Sequence, residues 1–166
     1  MLKSLCRKTS FYAAVAILGV LLDQASKYAV IRSLMNKEDI ILIKGVLSLT
    51  YAENQGAAFG ILPGGRLLFT CFAVLVTAGA FVYIRRILKS GGPSMVCLWL
   101  SLISAGAIGN MIDRVARGRV IDFIYFSVID FPVFNIADIF IVFSCFMLVI
   151  SLFAVKDDDS KAGGVR

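Results

Sequence analysis

The 166-residue chain predicts a membrane α-helical protein: four transmembrane helices with a small extracytoplasmic β-sheet and loop on the outer membrane surface. Three observations lead there. Hydrophobic residues make up 59% of the chain and charged residues 17%, where ordinary soluble domains have about 45–50% and about 25%. Four apolar stretches, near residues 11–31, 67–84, 95–112 and 136–155, are each long enough to cross about 30 Å of hydrocarbon. Between the first and second, and again between the third and fourth, lie longer segments with strand-like patterning. Residues 1–166 are expected to form one domain.

The first span follows Lys3, Arg7 and Lys8. It is longer than the apolar core of a signal peptide and no A-x-A-like site follows it, so it is expected to be a retained helix. Segment 32–66 contains a β-rich run from Ile40 to Tyr51, in which Val46 to Tyr51 alternates. Pro63-Gly64-Gly65 closes it before the second span. Gly91-Gly92-Pro93 turns the chain into the third span, where Ser101, Ala105 and Gly109 recur every four residues and permit close helix contact. Segment 113–135 holds a second β-like run, RVIDFIYFSVI, with PVFN turning the chain into the fourth span. The sheet is expected to touch lipid headgroups with an aromatic face. The tail from residue 156 to 166 reads as flexible.

Orientation follows from the basic residues. The N-terminus and the loop with Arg85, Arg86 and Lys89 carry cations without acids, and the tail adds Lys156, Lys161 and Arg166. Both termini are therefore expected in the cytoplasm, with 32–66 and 113–135 outside.

The formal charge of +6 is spread along the edges of apolar runs and makes no continuous patch, which argues against nucleic acid as a partner. Four cysteines lack metal-binding spacing. The absence of histidine removes Ser–His and Cys–His catalysis and argues against zinc.

The polar residues in and beside the spans are what need explaining. Asp23 and Lys27 share a helix face, either as an internal ion pair or as a functional pair. Asn54, in ENQGAAFG, is a loop amide or a contact for an extended peptide. In GNMIDRVARGR, Arg114 suits a helix C-terminus, while Asn110 and Asp113 need partners. Alternation places Asp122 on one face with Val120, Ile124 and Phe126, where a charge calls for a site. Asp138 stands three residues after Asn135, and the two could form the N-cap of the fourth helix. Such a cap stabilises a carboxylate by only about 0.3–1 kcal/mol.

A second reading treats Asp122 and Asp138 together. Two carboxylates about 4 Å apart at an effective dielectric of about 20 repel by about 4 kcal/mol, which separates their titrations by about three pH units. The pair would share one proton near neutrality. The charged member could then take a proton from water while the other polarises a carbonyl. Two rivals use the same residues: a transporter or channel with a polar path through the spans, and a Mg²⁺-dependent enzyme with carboxylate ligands. The clustering of these residues towards one membrane face favours an interfacial reaction site over a path.

DQASK at 23–27, NQGAAFG at 54–60, GNMIDR at 109–114, VIDF at 120–123 and FNIAD at 134–138 together resemble the motif set of the prolipoprotein signal peptidases, or signal peptidase II. The resemblance covers nearly the whole chain. It implies an aspartic endopeptidase of the bacterial inner membrane that needs no cofactor. It also implies a lipid-modified prolipoprotein substrate, cut before a diacylglyceryl-modified cysteine. Carried over by motif, Asp122 and Asp138 are the catalytic pair. Asp23, Lys27, Asn54, Asn110, Asp113, Arg114 and Asn135 match positions that support the site or the substrate. A monomer in contact with membrane lipids is expected, with its site near the outer face.

Overall fold

The computed structural model describes residues 2–56, 65–92 and 94–163, with side chains over 5–56, 65–92 and 94–153. Residues 57–60 of ENQGAAFG, together with Pro63, Gly64 and Pro93, lie outside the described residues. Four long helices, α1 (Leu2–Leu34), α2 (Arg66–Ser90), α3 (Ser94–Arg117) and α4 (Ile136–Gly163), carry stretches long and apolar enough to cross a membrane. Four strands, β1 (Ile40–Ile43), β2 (Leu47–Asn54), β3 (Val120–Phe126) and β4 (Phe131–Phe134), form one antiparallel sheet in the order β1-β2-β3-β4.

The helix α3 is the central one, packing against each of the other three. Its small-residue stripe makes this possible: Ser101 and Ala105 are buried, and a Cβ added to Gly19 of α1 would press on Ala105. On its other side, a Cβ at Gly106 would run into the backbone carbonyl of Ala137 and the side chain of Ile141 in α4. Near the far end of the bundle, Tyr12, Ile84, Ile87, Val96 and Cys97 form an apolar core. The lipid-facing sides remain apolar and exposed, as with Leu18, Phe72 and Phe146.

The sheet is fastened to the end of α1, where Val30 and Leu34 pack against Ile121 and Phe123. Residues 120–123 of β3 are all buried, because Ile121 and Phe123 meet α1 while the other face carries Asp122 into the site. PVFN corrects one expectation. Phe131–Phe134 is strand β4, and the reversal lies earlier, in a 3-10 turn at Ser127–Ile129 followed by Asp130 with φ 48°. Pro132 suggests a turn, but a proline is tolerated in an edge strand such as β4.

Helices α1 and α3 extend beyond the expected spans, so Asp113, Arg114 and Arg117 are still helical. The helix α4 likewise continues to Gly163, through residues expected as flexible tail. No Gly or Pro interrupts 151–162, and extending an existing helix costs little.

Candidate active site

The start of β3, the C-terminal parts of α1 and α3 and the first turn of α4 meet at one end of the bundle. The carbonyl of Asn135 accepts the first helical bond of α4, from the Ile139 N–H at 3.3 Å. Asn135 Oδ1 accepts the Asp138 N–H at 3.0 Å, and Asp138 Oδ2 accepts the Asn135 N–H at 3.1 Å. This reciprocal cap satisfies helix-end donors and fixes Asp138 in the first turn.

Asp122 is brought to the same place by the sheet. One extra residue in β2, between Leu49 and Ala52, bulges the ladder so that Ala52 lies opposite Asp122. Asn54, two residues further along the same face, donates from Nδ2 to Asp122 Oδ2 at 3.0 Å. Asn135 Nδ2 donates to Asp122 Oδ1 at 2.6 Å. Asn110 Nδ2, from α3, donates to Asp138 Oδ1 at 2.8 Å. All four carboxylate oxygens thus face N–H donors, and Asn135 touches both acids. Asn54 spends its Oδ1 on the Gly56 N–H at 2.9 Å, so both ends of its amide serve the site.

Asp122 and Asp138 border a cleft of about 1080 Å³ between the sheet and α4. Phe131, Phe134, Val142, Phe143 and Phe146 give it an apolar wall, and Arg114 and Asn54 stand on its polar side. Burial, followed by the neighbouring Asp138 carboxyl, pushes Asp122 up to about 6, against the opposite pull of Asn54, Asn135 and the Lys27 charge.

Behind the acids lies a buried ion cluster. Lys27 Nζ is 2.9 Å from Asp23 Oδ2, 2.9 Å from Asp113 Oδ2 and 2.9 Å from Asn110 Oδ1, with all three charged side chains fully buried. Asp23 Oδ1 also accepts the Ala137 N–H at 3.0 Å, and Asp113 Oδ2 accepts the Ile121 N–H at 3.2 Å. The ion pair expected between Asp23 and Lys27 is therefore a larger cluster that ties α1 to α3, α4 and β3. A Cβ at Gly109 would collide with the Asp23 carboxylate, so the glycine permits this approach. Arg114 is not simply a helix cap: its NH2 donates to the Gly56 carbonyl at 3.0 Å and its guanidinium lies 4.9 Å from the Phe69 ring centre.

Two participants escaped the sequence reading. Gln24 Nε2 donates to Asp23 Oδ2 and the Gly109 carbonyl, both at 3.1 Å, and Arg117 pairs with Asp113. The i,i+4 spacing that joins Asp23 to Lys27 also joins Asp113 to Arg117 and was the available signal. Gln24 carried none, because its partners beyond the adjacent Asp23 are on another helix.

The profile of the signal peptidase (SPase) II family matches residues 15–154. The chain belongs to this family. The lipoprotein signal peptidase of Halothermothrix orenii is 42% identical over 138 residues, covering 83% of this chain and 92% of its own length. The lipoprotein signal peptidase of Symbiobacterium thermophilum is 41% identical over 144 residues, covering 86% and 93%. A bacterial membrane enzyme solved by the in meso method at 2.3 Å superposes with a TM-score of 0.78 at 32% identity, covering 90% of this chain and 91% of that one. As a signal peptidase II, the chain is a multi-pass bacterial membrane protease of lipoprotein processing.

Proposed function

We propose that this signal peptidase II removes signal peptides from diacylglyceryl-modified prolipoproteins by cutting before the lipidated cysteine, with Asp122 and Asp138 activating water between them. One observation carries the reading: both carboxylates border the same apolar-walled cleft and share Asn135 as a partner. The apolar wall suits acyl chains, which would stay in hydrocarbon while the peptide bond meets water at the polar rim.

In this reading the pair holds one proton. The charged carboxylate takes a proton from water as the water oxygen bonds to the scissile carbonyl carbon. The protonated carboxyl gives its hydrogen to the carbonyl oxygen. The tetrahedral diol then collapses: one hydroxyl returns its proton to the free carboxylate as the C–N bond breaks, the protonated carboxyl gives its hydrogen to the leaving amine, and the pair again holds one proton. Asn54, Asn110 and Asn135 hold the acids in place, while Asp23, Lys27 and Asp113 brace the helices around them. Arg114 borders the substrate side. The basic N-terminus and the Arg85–Lys89 loop support cytoplasmic termini and a site at the outer face of the inner membrane. The protein would act as a monomer among membrane lipids.

The test is cleavage by purified protein of a precursor with and without the diacylglyceryl group, in the presence of chelator. Strong preference for the lipidated form, unaffected by chelator, is expected. Equal cleavage of both forms would make this a general membrane protease, and loss with chelator would favour the metal-dependent rival.

A further inference from the structure

Each of the three asparagines around the acids has an amide that sterically could face either way, and its hydrogen-bonding direction depends on what holds its oxygen. For Asn54 and Asn135 that partner is a backbone N–H, from Gly56 and Asp138 respectively. A backbone N–H cannot accept, so both side-chain NH2 groups are turned towards Asp122. Asn110 is anchored differently. Its Oδ1 accepts Lys27 Nζ at 2.9 Å and, at 3.2 Å, Asn135 Nδ2. Its Nδ2 faces Asp138 Oδ1 at 2.8 Å. Lys27 has three N–H donors and no acceptor, and the three acceptors around it are Asp23, Asp113 and Asn110.

We propose that Lys27 is a positioning residue for peptide-bond cleavage: its buried ammonium fixes the Asn110 amide so that the NH2 always faces Asp138. Turning the amide over would aim that NH2 at an ammonium and at the Asn135 NH2, while leaving Asp138 opposite an oxygen. The charge-assisted bond from Lys27 is the stronger of the two restraints on Asn110. The ion cluster therefore aligns the acids as well as bracing the helices. This inference rests on the reading of Asp138 as half of the water-activating pair.

The test compares Asp23→Asn with Asp23→Asn/Lys27→Met, which differ only at Lys27 and avoid leaving two buried acids around a missing cation. Asp23→Asn/Lys27→Arg restores a donor, and Asp138→Asn serves as the control for the underlying reading. Rates are taken per folded protein, with folding followed by thermal melting in detergent. The Met double variant is expected to have a kcat about tenfold below its parent with KM within about twofold, and the Arg double variant to recover much of that loss. Equal kcat in the parent and the Met double variant would overturn the proposal. So would equal kcat in the Met and Arg double variants. Full activity of Asp138→Asn would instead overturn the reading beneath it.

If the double variants do not fold, the wild-type protein decides. With ¹⁵N-labelled asparagine, the Asn110 side-chain NH2 is expected to show nuclear Overhauser contacts to the Asp138 β protons and none to the Lys27 ε protons. Contacts to the Lys27 ε protons would overturn the proposal.

Discussion

Asn135 and Asp138 cap one another, each accepting the other's backbone N–H, at 3.0 and 3.1 Å. The same two side chains also reach Asp122 and Asn110. The helix cap and the acid site are therefore one hydrogen-bonded unit. A carboxylate at this position serves the fold and the proposed chemistry together, so variants of Asp138 report on both.

Asp138→Asn and Asp122→Asn are each expected to reduce kcat by about 10²–10⁴-fold, the usual contribution of a positioned acid or base. Asp138→Asn also weakens the cap and is expected to cost about 1 kcal/mol of stability. Cleavage kinetics and thermal melting separate the two effects. Near wild-type turnover by either variant would remove that residue from the pair.

The raised pKa of Asp122 has a stability consequence with a definite sign. Its value rises from 3.8 to about 6 in the folded protein, so between these values the folded state binds more protons than the unfolded one. The contribution is greatest below about pH 4 and is lost as pH rises through about 6, a change of about 3 kcal/mol. Asp122→Asn cannot ionise at this position. Its melting temperature relative to wild type is expected to increase between pH 4 and pH 7. A constant difference across that range would show that Asp122 ionises freely.

Asp113 accepts from Lys27, Arg117, Gln24 and the Ile121 N–H while fully buried. Asp113→Ala takes one of two carboxylates from the buried Lys27 ammonium and leaves the Ile121 N–H without its acceptor, and is expected to cost about 3–5 kcal/mol. The measurement is the fraction of protein that elutes as a single species in detergent, which should fall sharply.

Gly106→Ala places a methyl group against the Ala137 carbonyl, next to Asp138. The expected cost is about 1–3 kcal/mol from overpacking. Activity per folded protein should fall as well, because separating α3 from α4 lengthens the Asn110–Asp138 bond. Melting together with kcat checks both.

Ser90→Cys in a cysteine-free background is expected to react with a membrane-impermeant thiol reagent only when the cytoplasmic side is open. Labelling from outside alone would invert the topology.

The helices were legible because lipid as a solvent imposes long apolar runs, and the acids stood out against that background. Asp122 and Asp138 could be grouped from their order along the chain, and the reciprocal cap from the spacing of Asn135 and Asp138. Strand β4 was hidden by Pro132, whose place on the sheet edge depends on neighbours distant in sequence. Gln24 was hidden for a similar reason, since its value lies in reaching Gly109 and Asp113 on another helix. The uniform burial of Val120–Phe123 follows from docking onto α1, a contact that local alternation cannot report. For Asn54 the sequence leaves a loop amide and a peptide contact both open, because the bulge that turns it towards Asp122 leaves no mark in residue type.

The ion cluster also bears on how the protein is assembled. Asp23 and Lys27 enter the membrane on α1, well before Asp113, Asn110 and Gly109 have been synthesised on α3. Until then the lysine has a single acid for company and the groove that will receive that acid does not exist. In the isolated first helix the lysine can pair only with Asp23, one turn away, and its full set of acceptors exists only once the third helix has packed against the first.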